Sequence, residues 1–321
     1  MKPKSRISQE LYQKLLDRGY QERFCDLVTQ NLNTDFTAQR MIFYLFHYSE
    51  LPKVRKCNMS NVQQTGSEVT HSIIFSPTGG TKKVADILLE RISDDAKRQT
   101  VDLCDPNTCY EDVVFGSDDL ALIAIPSYGG HVPKTALERI AQIDGAGVRA
   151  VLVCVYGNRA YDNTLAELQD AAVKAGFRPI AAVAAVAEHS IARQVAAGRP
   201  DASDVAVLQD MADKIMEKIS GGNENKPAVP GKVTEKQGMS MGMAPGISGD
   251  CVKCGLCARK CPAGAIDADT LKSDSKKCIS CMRCISLCPQ NARKLNKVIT
   301  SLGGVALGTL CKKRRECELF L

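Results

Sequence analysis

From residue 69 to about 219 the chain alternates two rhythms: short unbroken apolar runs, then longer stretches whose apolar residues recur every three or four positions. The runs VTHSIIF (69–75), TVDLC (100–104), DLALIAI (119–125), RAVLVCVY (149–156) and FRPIAAVAAVAE (177–188) predict strands. Between them lie KKVADILLERI (82–92), with Val84, Ile87, Leu88 and Ile92 on one face, and PKTALERIAQI (133–143). Pro133 is expected at the first position of the latter helix, where proline's missing N–H costs nothing. DNTLAELQDAAVKAG (162–176), ended by Gly176, and ASDVAVLQDMADKIMEKI (202–219) complete the set. Continuous apolar strands separated by amphipathic helices predict an α/β fold, a doubly wound five-stranded parallel sheet covered on both faces. In such a sheet ligands bind beyond the carboxyl ends of the strands.

The pattern differs on either side. Residues 1–66 predict a helical appendage: ISQELYQKLLDRGYQERFCDLVTQNL carries Leu11, Leu15, Leu16, Phe24 and Leu27 near helical spacing, and TAQRMIFYLFHYSEL follows with Thr34 and Asp35 as caps. Residues 220–249, rich in Gly, Pro, Lys and Met, predict a linker between the 69–219 domain and a cysteine-rich module at 250–297. Residues 298–321 predict a tail that packs back on the body.

Composition narrows the classes. The 321 residues suggest two domains and an appendage, and 44% hydrophobic residues allow a full core. With no tryptophan and 5% aromatics that core is aliphatic, and stacking surfaces for single-stranded nucleic acid are scarce. The opening MKPKSRISQELYQKLL has no apolar signal region, and no stretch reaches 18 consecutive apolar residues. A cytoplasmic protein without membrane insertion or a nucleic-acid partner is expected. In that reducing compartment 15 cysteines are not a disulfide framework.

Eight of the cysteines form two copies of one motif. CVKCGLCARKCP holds Cys251, Cys254, Cys257 and Cys261, and CISCMRCISLCP holds Cys278, Cys281, Cys284 and Cys288; Pro262 and Pro289 close the runs. Zinc needs two CxxC pairs and gives no reason for a third cysteine two residues on, nor for a fourth before proline, twice over. The spacing C-x2-C-x2-C-x3-C-P is the bacterial ferredoxin run, whose fourth cysteine serves the other cluster. One [4Fe-4S] cluster is therefore expected on Cys251, Cys254, Cys257 and Cys288, and a second on Cys278, Cys281, Cys284 and Cys261.

The first βα turn reads Ser76-Pro77-Thr78-Gly79-Gly80-Thr81. Glycines let a phosphate approach the backbone, while hydroxyls and helix-start N–H groups supply donors. It is neither a Walker loop nor the dinucleotide G-x-G-x-x-G. The turn resembles the FMN-phosphate loop of flavodoxins. That resemblance extends to the loop after the third strand, where Tyr128 is expected to stack on the flavin and Gly129 or Gly130 to face its N5. It also extends to the loop after the fourth, Tyr156-Gly157-Asn158-Arg159-Ala160-Tyr161, with Gly157, Asn158 and Tyr161 implied as ring contacts. His189 and Ser190 follow the fifth strand on the same side of the sheet, a weaker pointer to substrate or partner contact.

The order of FMN domain, linker and two-cluster α+β module resembles the flavodoxin–ferredoxin fusion proteins of anaerobic bacteria and archaea, over about residues 69–321; residues 1–66 lie outside it. The formal charge of +6 then signals no polyanion partner, since two thiolate clusters and a flavin phosphate bring about six negative charges. The resemblance implies FMN, two [4Fe-4S] clusters and redox protein partners, with the oligomeric state open. An electron relay is the leading reading. A flavin-dependent oxidoreductase fed through the clusters and a redox sensor with a partner-binding helical N-terminus are the alternatives.

Overall fold

The computed structural model describes residues 6–17, 68–234, 243–296, 308 and 311–321. The chain divides into two compact units, Met1–Gln64 and Thr65–Leu321. In the first unit the described element is α1 (Arg6–Asp17), with Leu11 and Leu15 buried one turn apart and Gln9, Glu10 and Gln13 exposed. The second helix expected there, TAQRMIFYLFHYSEL, lies outside the described residues.

The second unit is built on a sheet of β1 (Thr70–Ile74), β2 (Arg98–Asp102), β3 (Leu120–Pro126), β4 (Arg149–Tyr156) and β5 (Arg178–Val186). These five pair in parallel in the order β2-β1-β3-β4-β5, the flavodoxin-like order of a doubly wound sheet. The period-2 alternation explains both cores. On β4, Val151, Val153 and Val155 face α2 (Gly80–Ile92) and α5 (Ala202–Ser220), burying Val84, Leu88, Leu208 and Ile215. Leu152, Cys154 and Tyr156 face the other way, toward α3 (Lys134–Ile140) and α4 (Thr164–Lys174), with Ile140, Leu165 and Leu168. Pro133 caps α3 rather than opening it, one residue before the position expected. Its fixed φ suits either place.

The sheet has six strands, not five. Residues Glu318–Phe320 (β8) pair antiparallel with Ala182–Ala184 and cover the open edge of β5. An exposed edge of this length invites pairing with another chain, and a covering strand removes that hazard. Three residues are too few for periodicity to reveal. Asn158 anchors this segment: its Nδ2 donates to the carbonyls of Cys311 (2.9 Å) and Lys313 (3.0 Å), and its Oδ1 accepts from Arg315 N (2.9 Å). Arg199, buried beside it, donates to Asn158 Oδ1, to Arg315 O and to both oxygens of the buried Asp204.

The first half of the expected linker is tied to the body. Gln169 Nε2 donates to Pro227 O at 3.0 Å and Lys232 N to Asn163 Oδ1 at 3.1 Å. The cysteine module follows with β6 (Gly246–Ile247), α6 (Leu256–Arg259), α7 (Arg283–Ser286) and β7 (Arg293–Lys294), with β6 and β7 antiparallel. It docks through polar contacts that flank the cysteines: Arg139 of α3 donates to Pro262 O at 2.6 Å, Lys260 pairs with Asp105 at 3.3 Å, and Arg283 lies 3.7 Å from Asp102.

Candidate functional site

The carboxyl ends of β1, β3, β4 and β5 converge on one cavity of about 750 Å³, its open mouth included. It lies where the strand order reverses, beside β1 and β3. Its phosphate-like end is the turn into α2. A helix leaves its first N–H groups without intrahelical acceptors. Ser76 Oγ takes that of Lys82 at 2.9 Å, while those of Gly80 and Thr81 stand at the cavity. Gly79 has φ +94°, a left-handed backbone that favours glycine, and no atom lies within 4 Å of where a Cβ would sit. Neither lysine of the turn serves it: Lys82 pairs with Asp86 at 2.6 Å and Lys83 Nζ donates to Pro200 O at 2.8 Å.

The next loop is a tight hairpin. Tyr128 and His131 exchange backbone hydrogen bonds of 2.9 and 3.2 Å across Gly129 (φ +62°) and Gly130 (φ +87°). Two successive positive φ angles define a type I′ turn, which selects glycine at both places. Space above Gly129 is open, whereas a Cβ on Gly130 would meet Asp162 Oδ2 at 2.3 Å. Tyr128 lies along the cavity, its phenol pushed well up by desolvation and then by the nearby Cys281. Behind the turn, Glu167 holds His131 Nδ1 at 2.7 Å and accepts from Val132 N at 3.0 Å.

From β4 and β5 come Gly157 and His189. A Cβ on Gly157 would stand 2.4 Å from the imidazole Cδ2, so this glycine makes room for the ring. The His189 Nδ1 accepts the N–H groups of Ile191 (3.2 Å) and Ala192 (3.1 Å). The ring proton therefore sits on Nε2, and burial lowers the pKa, which keeps the imidazole neutral.

Of the residues expected to hold flavin, Thr78, Gly80, Thr81, Tyr128, Gly129, Tyr156 and Gly157 line the cavity; Ser76, Gly79, Gly130, Asn158 and Tyr161 do not. Asn158 is turned to the tail, as described. Tyr161 packs on the Tyr156 ring (centroids 5.2 Å) and donates to Glu318 Oε2 at 3.0 Å, so both side chains are engaged with the tail. Ala187, Glu188 and Ile191 join His189 and Ser190 in the lining, and two residues of the cysteine module, Ile279 and Ser280, close it from outside the sheet. The last pair lies some 200 residues from the phosphate-like turn, and no local pattern links them.

Cys251, Cys254 and Cys257 line one cavity with Cys288, the ligand expected to cross from the second run. Burial raises the thiols of Cys278, Cys281 and Cys284; the charge of Cys261 adds to this at all three, and that of Cys257 at Cys284. The repeat is visible in detail: Ala265 N donates to Cys261 Sγ at 3.3 Å, and Ala292 N to Cys288 Sγ at 3.2 Å. Arg293, 3% exposed, donates to Cys257 Sγ at 3.2 Å and to the carbonyls of Leu271 and Pro245. Its charge also favours the thiolates of Cys278, Cys284 and Cys288. These sulfurs, soft and supported by N–H donors, suit iron–sulfur ligation.

Comparison with known proteins agrees with this donor set. A family model described as a 4Fe-4S dicluster domain matches residues 250–292. The cysteine module is similar to a 4Fe-4S dicluster domain. One component of the ion-translocating oxidoreductase complex of Methanosarcina acetivorans is 40% identical over 47 residues, which are 14% of this chain and 18% of that protein. The chain thus spans less than a fifth of that relative's length. Among solved structures, the flavodoxin of Streptococcus pneumonia TIGR4 aligns with 47% of this chain and 99% of its own, at 18% identity and a TM-score of 0.33. The Megasphaera elsdenii flavodoxin gives 46%, 99%, 19% and 0.33. An NAD(P)H:quinone oxidoreductase from Methanothermobacter marburgensis gives 48%, 96%, 13% and 0.28. Scores of this size carry no argument of their own, and the fold stands on the strand order above. Among the described residues no helix is long and apolar enough to cross a membrane.

Proposed function

We propose that the chain relays electrons between FMN, held at the carboxyl ends of β1, β3, β4 and β5, and two [4Fe-4S] clusters in the cysteine module. One observation carries the reading: Ile279 and Ser280, which separate Cys278 from Cys281, form part of the wall of the flavin cavity. The cluster on Cys278, Cys281, Cys284 and Cys261 is then the flavin's immediate neighbour, and the cluster on Cys251, Cys254, Cys257 and Cys288 is the outer one.

FMN, when bound, supplies the exchange between paired and single electrons. The protein's residues do the rest. The N–H groups of Gly80 and Thr81, with the hydroxyls of Thr78 and Thr81, hold the phosphate without a cation. Gly129 lets the ring approach the backbone, and Tyr128 and Ile279 keep water from it. His189 presents a fixed N–H donor at Nε2. Arg293 sets a buried positive charge among the thiolates and would favour the reduced, more negative state of a cluster held there.

The test is an absorbance record of the anaerobically purified protein, after its flavin, iron and sulfide are counted, as NADH, NADPH and reduced ferredoxin are added in turn. A relay holds one FMN and eight iron atoms, ignores both nucleotides and bleaches with reduced ferredoxin. Bleaching by a nucleotide turns the assignment to an oxidoreductase that begins with hydride, and protein without flavin removes the relay altogether.

A further inference from the structure

A second, wider cavity of about 1230 Å³, mouth included, runs between α3 and the cysteine module. Lys134, Lys276 and Lys277 line it, all exposed, with Glu138 as the acidic member, 3.7 Å from Lys134. Among the described residues Lys276 and Lys277 form no ion pair. At its base are Cys278, a ligand of the cluster assigned next to the flavin, and Tyr128 and Ile279, which also line the flavin cavity. Exposed lysines thus share a groove with Cys278 and with two residues of the first cavity's wall.

We propose that this groove is the docking site of an acidic one-electron carrier protein. The inference rests on the relay reading and adds to it the entry point and the partner's charge. A small anion is a poorer occupant. The groove's one buried cation, Arg139, already donates to Leu103 O and Pro262 O, and three exposed lysines do not make a fixed anion site. Such lysines suit a transient protein contact, in which charge speeds encounter more than it tightens the complex and the buried area stays small. Two lysines beside Cys278 and one on α3 would steer an acidic patch to the gap between the two redox groups.

The probe is a small acidic bacterial ferredoxin, reduced beforehand and mixed in a stopped-flow cell with the full-length holoprotein at a series of ionic strengths. In the unaltered protein the second-order rate falls as salt rises. Lys276→Glu with Lys277→Glu lowers the low-salt rate about tenfold or more and flattens the salt dependence. Lys134→Glu, on the other wall and away from the cysteines, does the same in smaller measure. Lys174→Glu on α4, of equal charge change, leaves the rate as it was. Equal rates in all variants, or an equal loss in Lys174→Glu, overturn the assignment, as does absence of transfer from the ferredoxin at every salt concentration. Lys134→Glu decides the matter if the paired variant fails to hold its iron. Cofactor counts and a dithionite titration of the same samples report separately on the relay, so a failed docking site and a failed relay give different results.

Discussion

At the scale of single residues, the cysteine spacing was the most informative part of the sequence. A motif with fixed gaps specifies its ligands because the cluster imposes the geometry, and Cys288 of the second run lines one cavity with Cys251, Cys254 and Cys257 of the first. Replacing Cys261 by Ala should therefore damage the cluster of the second run and spare that of the first, although Cys261 belongs to the first run in sequence. Iron counts with EPR of the reduced protein decide it, and loss of the first cluster's signal would reverse the partition. The flavin contacts were less legible. Gly157 could be read as a backbone contact, but its need for glycine comes from His189, 32 positions later. Asn158 and Tyr161 matched a loop pattern while their side chains answer to Arg315 and Glu318, partners that no local reading supplies.

At the scale of elements, the five parallel strands and four covering helices could be read directly, because unbroken apolar runs and 3.6-residue periods report burial on both faces of a sheet. The sixth strand could not. It is three residues long, and the segment leading into it is anchored by a polar network around Asn158, Arg199 and Asp204. Burial pushes the Asp204 carboxyl up, but its bonds from Arg199 and Asp201 N outweigh that and hold it below the ordinary value. A carboxyl depressed by folding contributes stability above its unfolded pKa, about 3.9, and loses it as pH falls through the lower folded value. The tail should thus stay docked at neutral pH and loosen only in acid. Asp204→Asn leaves Arg199 buried without its counter-charge, at a cost of about 3–5 kcal/mol. Faster amide exchange in residues 311–321 at pH 7, measured by mass spectrometry, is the expected result, and unchanged protection there would show that strand pairing alone holds the tail.

At the scale of the whole second unit, the cysteine module and the sheet domain are joined by contacts that flank the cysteines. Arg139 reaches Pro262, Arg283 reaches toward Asp102, and Ile279 packs against the main core. A small metal-bound module with little apolar core depends on its metal to fold. Removing iron with a chelator should accordingly disorder the 278–281 loop and weaken FMN binding, with an increase in the dissociation constant of about tenfold for each 1.4 kcal/mol of lost contact. The coupling is reciprocal, so saturating FMN should slow iron loss by the same logic. Fluorescence of released flavin during chelation measures both. Equal FMN affinity with and without iron would mean that the wall holds its shape unaided.

The wall formed by Ile279 and Ser280 has a consequence for how the protein is made. On the proposed relay reading, a newly synthesised chain that met flavin before iron would have an incomplete pocket and would release its FMN again. Cluster insertion would then act as an assembly checkpoint, leaving empty chains in place of flavin-loaded ones that pass stray electrons to oxygen.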